Sequence, residues 1–330
     1  MSMQPQRLRA LQMLVVGNAC WALSFPTMKA MAYLQQPLLP ESSSWFIASM
    51  TLIVRFGLAA LVMLIVCWPT LRKFSRLEVW EGVGLGVFAS AGLIFQMDGL
   101  AYTSASTSAF LTQFYCLIIP LIVAFQNRRW PSGRLIVSCL MVIVGAGVLS
   151  GIDVRDFRIG RGELETLIAS TIFTGQILWL QRTKFAPNNV NHFTLVMFAV
   201  IAITCVPVAL ATGSRADDWI AAYSSAPVAA FMGILTVFCT LGGYLLMNYF
   251  QPFLTATQAG LIYCLEPVFA SLFALFLPGW FSSMAGIQYA NEKLSLALLV
   301  GGGLITVANA LMQLEPAPRR DLSDEESGRG

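Results

Sequence analysis

The sequence predicts an all-α membrane protein whose ten transmembrane helices form two inverted five-helix repeats. Three observations lead there. Hydrophobic residues fill 57% of the 330 positions and charged residues only 11%, at a mean hydropathy of +0.70, whereas soluble domains carry about 25% charged residues. The apolar residues fall into ten runs, each close to the ~20 residues that cross a ~30 Å hydrocarbon core. Finally, Tyr115-Cys-Leu-Ile-Ile-Pro120 in the fourth run recurs, one residue shorter, as Tyr263-Cys-Leu-Glu-Pro267 in the ninth. With an odd number of spans per copy, the second copy must cross the membrane upside down.

The first run, 10–33, follows Arg7 and Arg9 much as a secretory signal would. It is long for one, lacks a small-residue cleavage site and leads straight into further spans, so it reads as a retained helix. Runs 45–68 and 79–97 follow, the former carrying Arg55 near its middle and the latter ending at Asp98-Gly99, where a cap or interfacial turn is expected. Run 104–126 contains Pro120, which removes a helical N–H and marks a helix break. Run 134–151 closes the first half. The second half comprises runs 162–181, 193–213, 226–250, 254–277 and 294–313, the fourth of which holds Glu266 directly before a second break at Pro267. The chain therefore divides into a tail 1–9, a first repeat 10–151, an outer linker 152–161, a second repeat 162–313 and a polar tail 314–330. That last tail is too charged to fold alone. Gly82, Gly84 and Gly86, and Gly147 with Gly151, offer small faces for close helix contact.

Lys and Arg placement orients the chain. With the N-terminus inside, thirteen of the 20 basic residues face the cytoplasm, in groups such as Arg72-Lys73-Arg76 and Arg128-Arg129-Arg134. Five lie outside, including Arg155, Arg158 and Arg161, while Lys29 and Arg55 are embedded. The bias places both termini in the cytoplasm, and the expected location is a bacterial inner (cell) membrane. Nucleic-acid binding has no basic, aromatic-interleaved face to support it. Seven cysteines inside apolar runs, none at C-x-x-C spacing, read as free thiols with no metal site. The single histidine, His192, sits at a polar run edge as an interfacial or solvated residue, and one histidine leaves no metalloprotease motif.

Glu266 is the only acid lying deep within an apolar run. A carboxylate in hydrocarbon costs several kcal/mol unless paired, protonated or facing a water-filled cavity, so an intramembrane ion is a functional-site candidate by default. Arg55 and Glu266, both near the expected midplane, can line one cavity: the guanidinium suits a substrate carboxylate or phosphate, the carboxylate an amine or a proton. A structural ion pair is the alternative. Lys29, closer to its span's end, either reaches the cavity mouth or snorkels to the headgroups. Asn18, Trp21, Gln96, Gln113, Gln176 and Tyr263 complete the candidate lining, although amides also hold helices together. Trp21 and Trp179 fall within runs and not at their ends, where an aromatic belt would place them.

Gly17-Asn-Ala-Cys-Trp-Ala-Leu-Ser-Phe25 with Lys29, Arg55-Phe56, the small residues of 101–111 ahead of Pro120, Leu265-Glu-Pro-Val-Phe-Ala270 and Gly302-Gly-Leu-Ile305 occur in an order and spacing that resemble the EamA branch of the drug/metabolite transporter superfamily. The resemblance covers about residues 10–313. It implies two five-helix repeats and a small-molecule transporter. The family's Gly-Glu pair ending the fourth and ninth helices is missing: Asn127-Arg128-Arg129 stands in the first, and in the second Gly279-Trp280 is followed by an inserted segment 281–291 before Glu292.

The expected function is a secondary transporter that exports small amino-acid-like or drug-like metabolites by alternating access, without a cofactor. No nucleotide-binding motif is present to supply other energy; Glu266 leaves both proton coupling and facilitated efflux open. A nucleotide-sugar or sugar-phosphate antiporter would want more embedded basic residues. A membrane-embedded enzyme would need clustered nucleophile, base or metal residues, and a scaffold leaves Glu266-Pro267 unexplained. The expected partners are the lipid bilayer and a small-molecule substrate, with a homodimer left open.

Overall fold

A computed structural model describes residues 3–35, 37–39, 41–103, 105–128, 130–149, 159–213 and 218–313. All regular structure among them is helical: α1 (Met3–Ala22), α2 (Ser24–Gln35), α3 (Ser44–Cys67), α4 (Arg76–Gly99), α5 (Ala105–Thr112), α6 (Tyr115–Asn127), α7 (Gly133–Leu149), α8 (Arg161–Leu180), α9 (Val190–Thr212), α10 (Asp218–Ala221), α11 (Ala226–Ile234), a π-helical segment Leu235–Gly242, α12 (Gly243–Phe250), α13 (Ala256–Tyr263), α14 (Glu266–Ala274), α15 (Leu277–Ala285) and α16 (Leu296–Gln313). Six helical segments are long and apolar enough to span a bilayer: Gln6–Gln35, Ser44–Lys73, Arg76–Gly99, Val190–Thr212, Ala226–Phe253 and Ala256–Ala274. Phe110–Gln126, Gly133–Val148 and Leu296–Leu311 are shorter and equally apolar in character. The tail 314–330 and most of the linker, 152–158, lie outside the described residues, whereas α1 already begins within the expected tail 1–9.

Local chemistry sets the helix ends. Ser75 accepts from Glu78 N while the Glu78 carboxylate accepts from Ser75 N, a reciprocal cap that starts α4. Thr255 and Gln258 repeat the device at α13. Ser43 and Ser225 cap α3 and α11, with Pro227 in the first turn of the latter, where no N–H is required.

Close packing then depends on small residues. α4 lies against both α8 and α9. A Cβ added at Gly82 or Gly86 would stand 2.6–2.7 Å from the Cβ atoms of Val196 and Val200 on α9, so only glycine allows this approach. Gly84 points the other way, onto the Trp179 ring of α8. The contact between α7 and α16 depends on Gly145, whose added Cβ would meet Gly301 O at 2.7 Å. Gly147, the sequence candidate for that role, has ordinary 3.4 Å contact with Phe110, and Gly151 lies outside the described residues.

Several polar expectations change once neighbours are known. Pro120 does not mark a break: it lies inside α6, and the interruption comes earlier, at Gln113-Phe114. The carbonyl that Pro120 leaves without its helical donor is Cys116 O, and the Cys139 thiol donates to it at 3.2 Å, so the helix continues. Glu266 is not the only interior acid. Glu78, Glu81, Asp98 and Glu165 are all buried, but near helix ends and with partners. Asp98 stands where α4 ends and the chain turns, as expected, but its side chain is fully buried, accepting from Ser44 Oγ at 2.5 Å and Arg161 Nη2 at 2.6 Å. Arg161 also binds Glu165, through Nε at 2.8 Å. His192 is buried and not solvated: Nδ1 lies 3.1 Å from Glu78 Oε2, Nε2 2.9 Å from Thr70, and Phe74 stacks on the ring at 4.1 Å. The inserted segment forms the second half of α15 and an irregular return that packs on α2 and α11, with Phe281 against Phe231 and Tyr289 against Tyr33.

Candidate functional site

Two interruptions meet at the centre of the molecule. α5 and α6 part at Gln113-Phe114, α13 and α14 at Cys264-Leu265, and α13 crosses α6 where Gly260 meets Ile119 and Tyr115. A broken helix frees backbone groups that a membrane interior does not solvate. Asn18 of α1 answers this at the second break, donating from Nδ2 to Ile262 O at 3.0 Å. Pro267 occupies the first turn of α14, where its missing N–H costs nothing. The break thus presents Glu266 at a helix start.

A cavity of about 110 Å3 adjoins this junction, and among the sequence candidates Trp21, Arg55, Gln96, Gln176, Tyr263 and Glu266 line it. The lining is mostly apolar, and a space of that size has room for several waters. Its walls are aromatic: the Trp21 ring lies 5.3 Å from both Tyr244 and Tyr263, and Phe56 backs Tyr244 at 5.7 Å. The lining extends past Met28 and Leu100, towards the end where α4 finishes. On the opposite side Tyr263 OH donates to Gln251 Oε1 at 2.8 Å, and Gln251 Nε2 donates to Ile177 O at 2.9 Å, tying α13, α8 and the turn after α12 together.

The other candidates sit elsewhere. Asn18 serves the break just described. Gln113 accepts from Tyr115 OH at 3.2 Å beside the other break. Lys29 is exposed, its Nζ 5.5 Å from the Tyr289 ring centroid on the inserted segment, and does not line the cavity. Trp179 is held at the α4 interface by donating to Glu81 O at 3.2 Å. Sequence reasoning missed Ser24, Ser108 and Thr112 in the lining, and Thr240 behind it. Small hydroxyl residues are common in apolar helices, and nothing in their spacing separates a wall position from one that back-bonds its own helix.

The electrostatics centre on two groups. Arg55 is only 5% exposed and donates Nε to Thr240 Oγ1. Glu266 makes no hydrogen bond to a described residue, and no ion pair within 4.0 Å joins it to Arg55 or any other cation. A guanidinium and a carboxyl group thus face one cavity without touching. An unpaired buried charge is costly, so the space between them suits a ligand that carries the complementary pair. No cluster of metal-binding side chains occurs among the described residues.

Known proteins agree with this architecture. An uncharacterized transporter of Archaeoglobus fulgidus is 26% identical over 222 residues, 67% of this chain and 66% of its own length. The chain thus spans just under two thirds of that relative. A crystal structure of another protein, 16% identical, superposes with a TM-score of 0.65 over 93% of this chain and 97% of its own, which shows a shared fold. Both named matches are of transporters and neither is of an enzyme. Residues 8–151 match the EamA-like transporter family, part of the drug/metabolite transporter superfamily. Over those residues the chain is similar to that family, and its long apolar helices mark it as an integral membrane protein.

Proposed function

We propose that this protein is a secondary transporter that exports small amino-acid-like or related drug-like metabolites by alternating access. The observation that carries the reading is the pair Arg55 and Glu266, both lining one aromatic-walled cavity and not paired with each other. Arg55 takes the substrate carboxylate as a planar fork, Glu266 takes its ammonium, and the Trp21, Tyr244 and Tyr263 rings take an apolar side chain. One embedded cation fits this zwitterion better than a nucleotide sugar or sugar phosphate, since Lys29 stands outside the lining. Glu266 holds either the ammonium or a proton, so the two compete and a proton gradient can drive release.

The proposed scaffold is ten spans in two inverted repeats, 10–151 and 162–313. It is supported by which helices touch: α3 with α9, α7 with α16, α4 with α8 and α1 with α12 are the contacts that a twofold relation between spans one to five and six to ten would generate. The paired breaks near Gln113 and Cys264 support it too. Both termini are proposed to lie in the cytoplasm of a bacterial cell membrane. The test is a comparison of extracellular metabolite pools from cells overexpressing the protein and cells lacking it. Enrichment of amino-acid-like compounds supports the reading; unchanged pools across that class refute it.

A further inference from the structure

Resting on that reading, we propose that Thr240 is a positioning residue: through the π-helical segment it aims the Arg55 guanidinium at the substrate carboxylate. Thr240 is fully buried and does not line the cavity; it stands behind Arg55 and accepts from Nε. Other helical threonines here bond the carbonyl four residues back, as Thr112 does to Ser108 O, Thr166 to Gly162 O and Thr174 to Ser170 O. Thr240 instead donates to Leu235 O, five residues back, at 3.0 Å.

The wider turn Leu235–Gly242 makes that reach available. π-helical turns are rare and recur at functional sites. Since the hydroxyl hydrogen is committed to Leu235 O, the oxygen has only lone pairs to offer, and it must accept from Arg55. That fixes the guanidinium at Nε and leaves its two terminal nitrogens as the free side of the fork. Bidentate carboxylate recognition needs a guanidinium held in one plane. A chain of three methylenes with a loose head would spread that plane over many rotamers and leave Nε–H buried without an acceptor. The neighbouring Phe56 ring, 5.5 Å from Arg55 Cζ, limits the other side.

The experiment uses the purified full-length protein in nanodiscs and two probe pairs: phenylalanine with 2-phenylethylamine, and leucine with 3-methylbutylamine. Each pair differs by the carboxylate alone, so the ratio of affinities reads carboxylate recognition. Wild type is expected to prefer the amino acid, and Arg55→Met to lose that preference. Thr240→Val, which keeps the shape and removes the acceptor, is expected to weaken amino-acid binding by about tenfold or more while amine binding stays within about twofold. Thr240→Ser, which keeps the hydroxyl, is expected to retain the preference. In the Arg55→Met background Thr240→Val should have no further effect on the ratio, as coupled residues require; a purely structural role would still lower both affinities there. Should Thr240→Val fail to fold, Thr240→Ala carries the same comparison. A wild-type ratio in folded Thr240→Val or Thr240→Ala, beside a lost ratio in Arg55→Met, overturns the Thr240 proposal and leaves the zwitterion reading standing. A wild type that binds acid and amine alike, unaffected by Arg55→Met, overturns both.

Discussion

Replacing Glu266 by glutamine tests the proposed site most directly, because the structure isolates its effect. Glu266 has no hydrogen-bonded or ion-paired partner among the described residues, so the substitution leaves no protein donor stranded and folding should be little affected. What is lost is the contact with a substrate ammonium. A hydrogen bond to a charged group contributes about 1.5–3 kcal/mol net, so affinity for an amino acid should fall roughly ten- to hundredfold at neutral pH. The sign of the pH response follows from competition. Acidifying the substrate side protonates Glu266 in the parent and weakens binding, whereas the amide of the Glu266→Gln variant has no proton to gain and its binding should be flat with pH. Counterflow in proteoliposomes, with and without an imposed pH gradient, measures both. A mutant that still exchanges substrate at the parental affinity but ignores the gradient would assign Glu266 to the proton alone. A mutant matching the parent in affinity, rate and pH dependence would refute the reasoning and make Glu266 a packing residue.

Three further outcomes are expected. A reporter active only outside the cytoplasm, fused after Gly330, should stay silent, since thirteen of the 20 Lys and Arg residues fall on the side assigned to the termini; a strong signal would refute the ten-span topology. In a background without the seven native thiols, cysteine at position 55 or 266 should react with a membrane-impermeant thiol reagent, as the cavity lining requires, and complete inertness at both would remove the water-accessible site. Gly82→Ala should lower the melting temperature in detergent, because its Cβ would stand 2.6 Å from Phe193 O and overpacking costs about 1–3 kcal/mol. Gly303→Ala, with nothing within 4 Å, is the control, and equal melting of the two would contradict the α4–α9 packing.

Much of this protein is legible in one dimension because lipid imposes a one-dimensional rule. Any segment that crosses hydrocarbon must be apolar over its length and must satisfy its own backbone, so the helical class and the approximate runs follow from composition. The same rule makes Arg55 and Glu266 conspicuous: an ion in an apolar run is too costly to be incidental. Interruptions are harder to read. Pro267 does sit at a helix start, but Pro120 lies within α6, because a thiol on another helix relieves the carbonyl it frees. That thiol, Cys139, is remote in sequence, and no local pattern announces it.

Facing is the quantity that sequence alone left undetermined. Asn18 and Trp21 share one stretch of α1, yet Asn18 turns to the α13–α14 break while Trp21 lines the cavity. Lys29 and Arg55 are both basic residues in apolar runs, yet Lys29 ends beside Tyr289 on the inserted segment. His192 and Asp98 look like edge residues until Glu78 and Arg161 arrive from other helices to pair with them. By itself the chain determined that it is helical, membrane-embedded and ionisable at two interior points, since these depend on the cost of each residue in lipid. Only the tertiary structure decided that those two groups share a cavity, that no ion pair joins them and that Thr240 stands behind one of them, because a polar group's role depends on which distant helix supplies its partner.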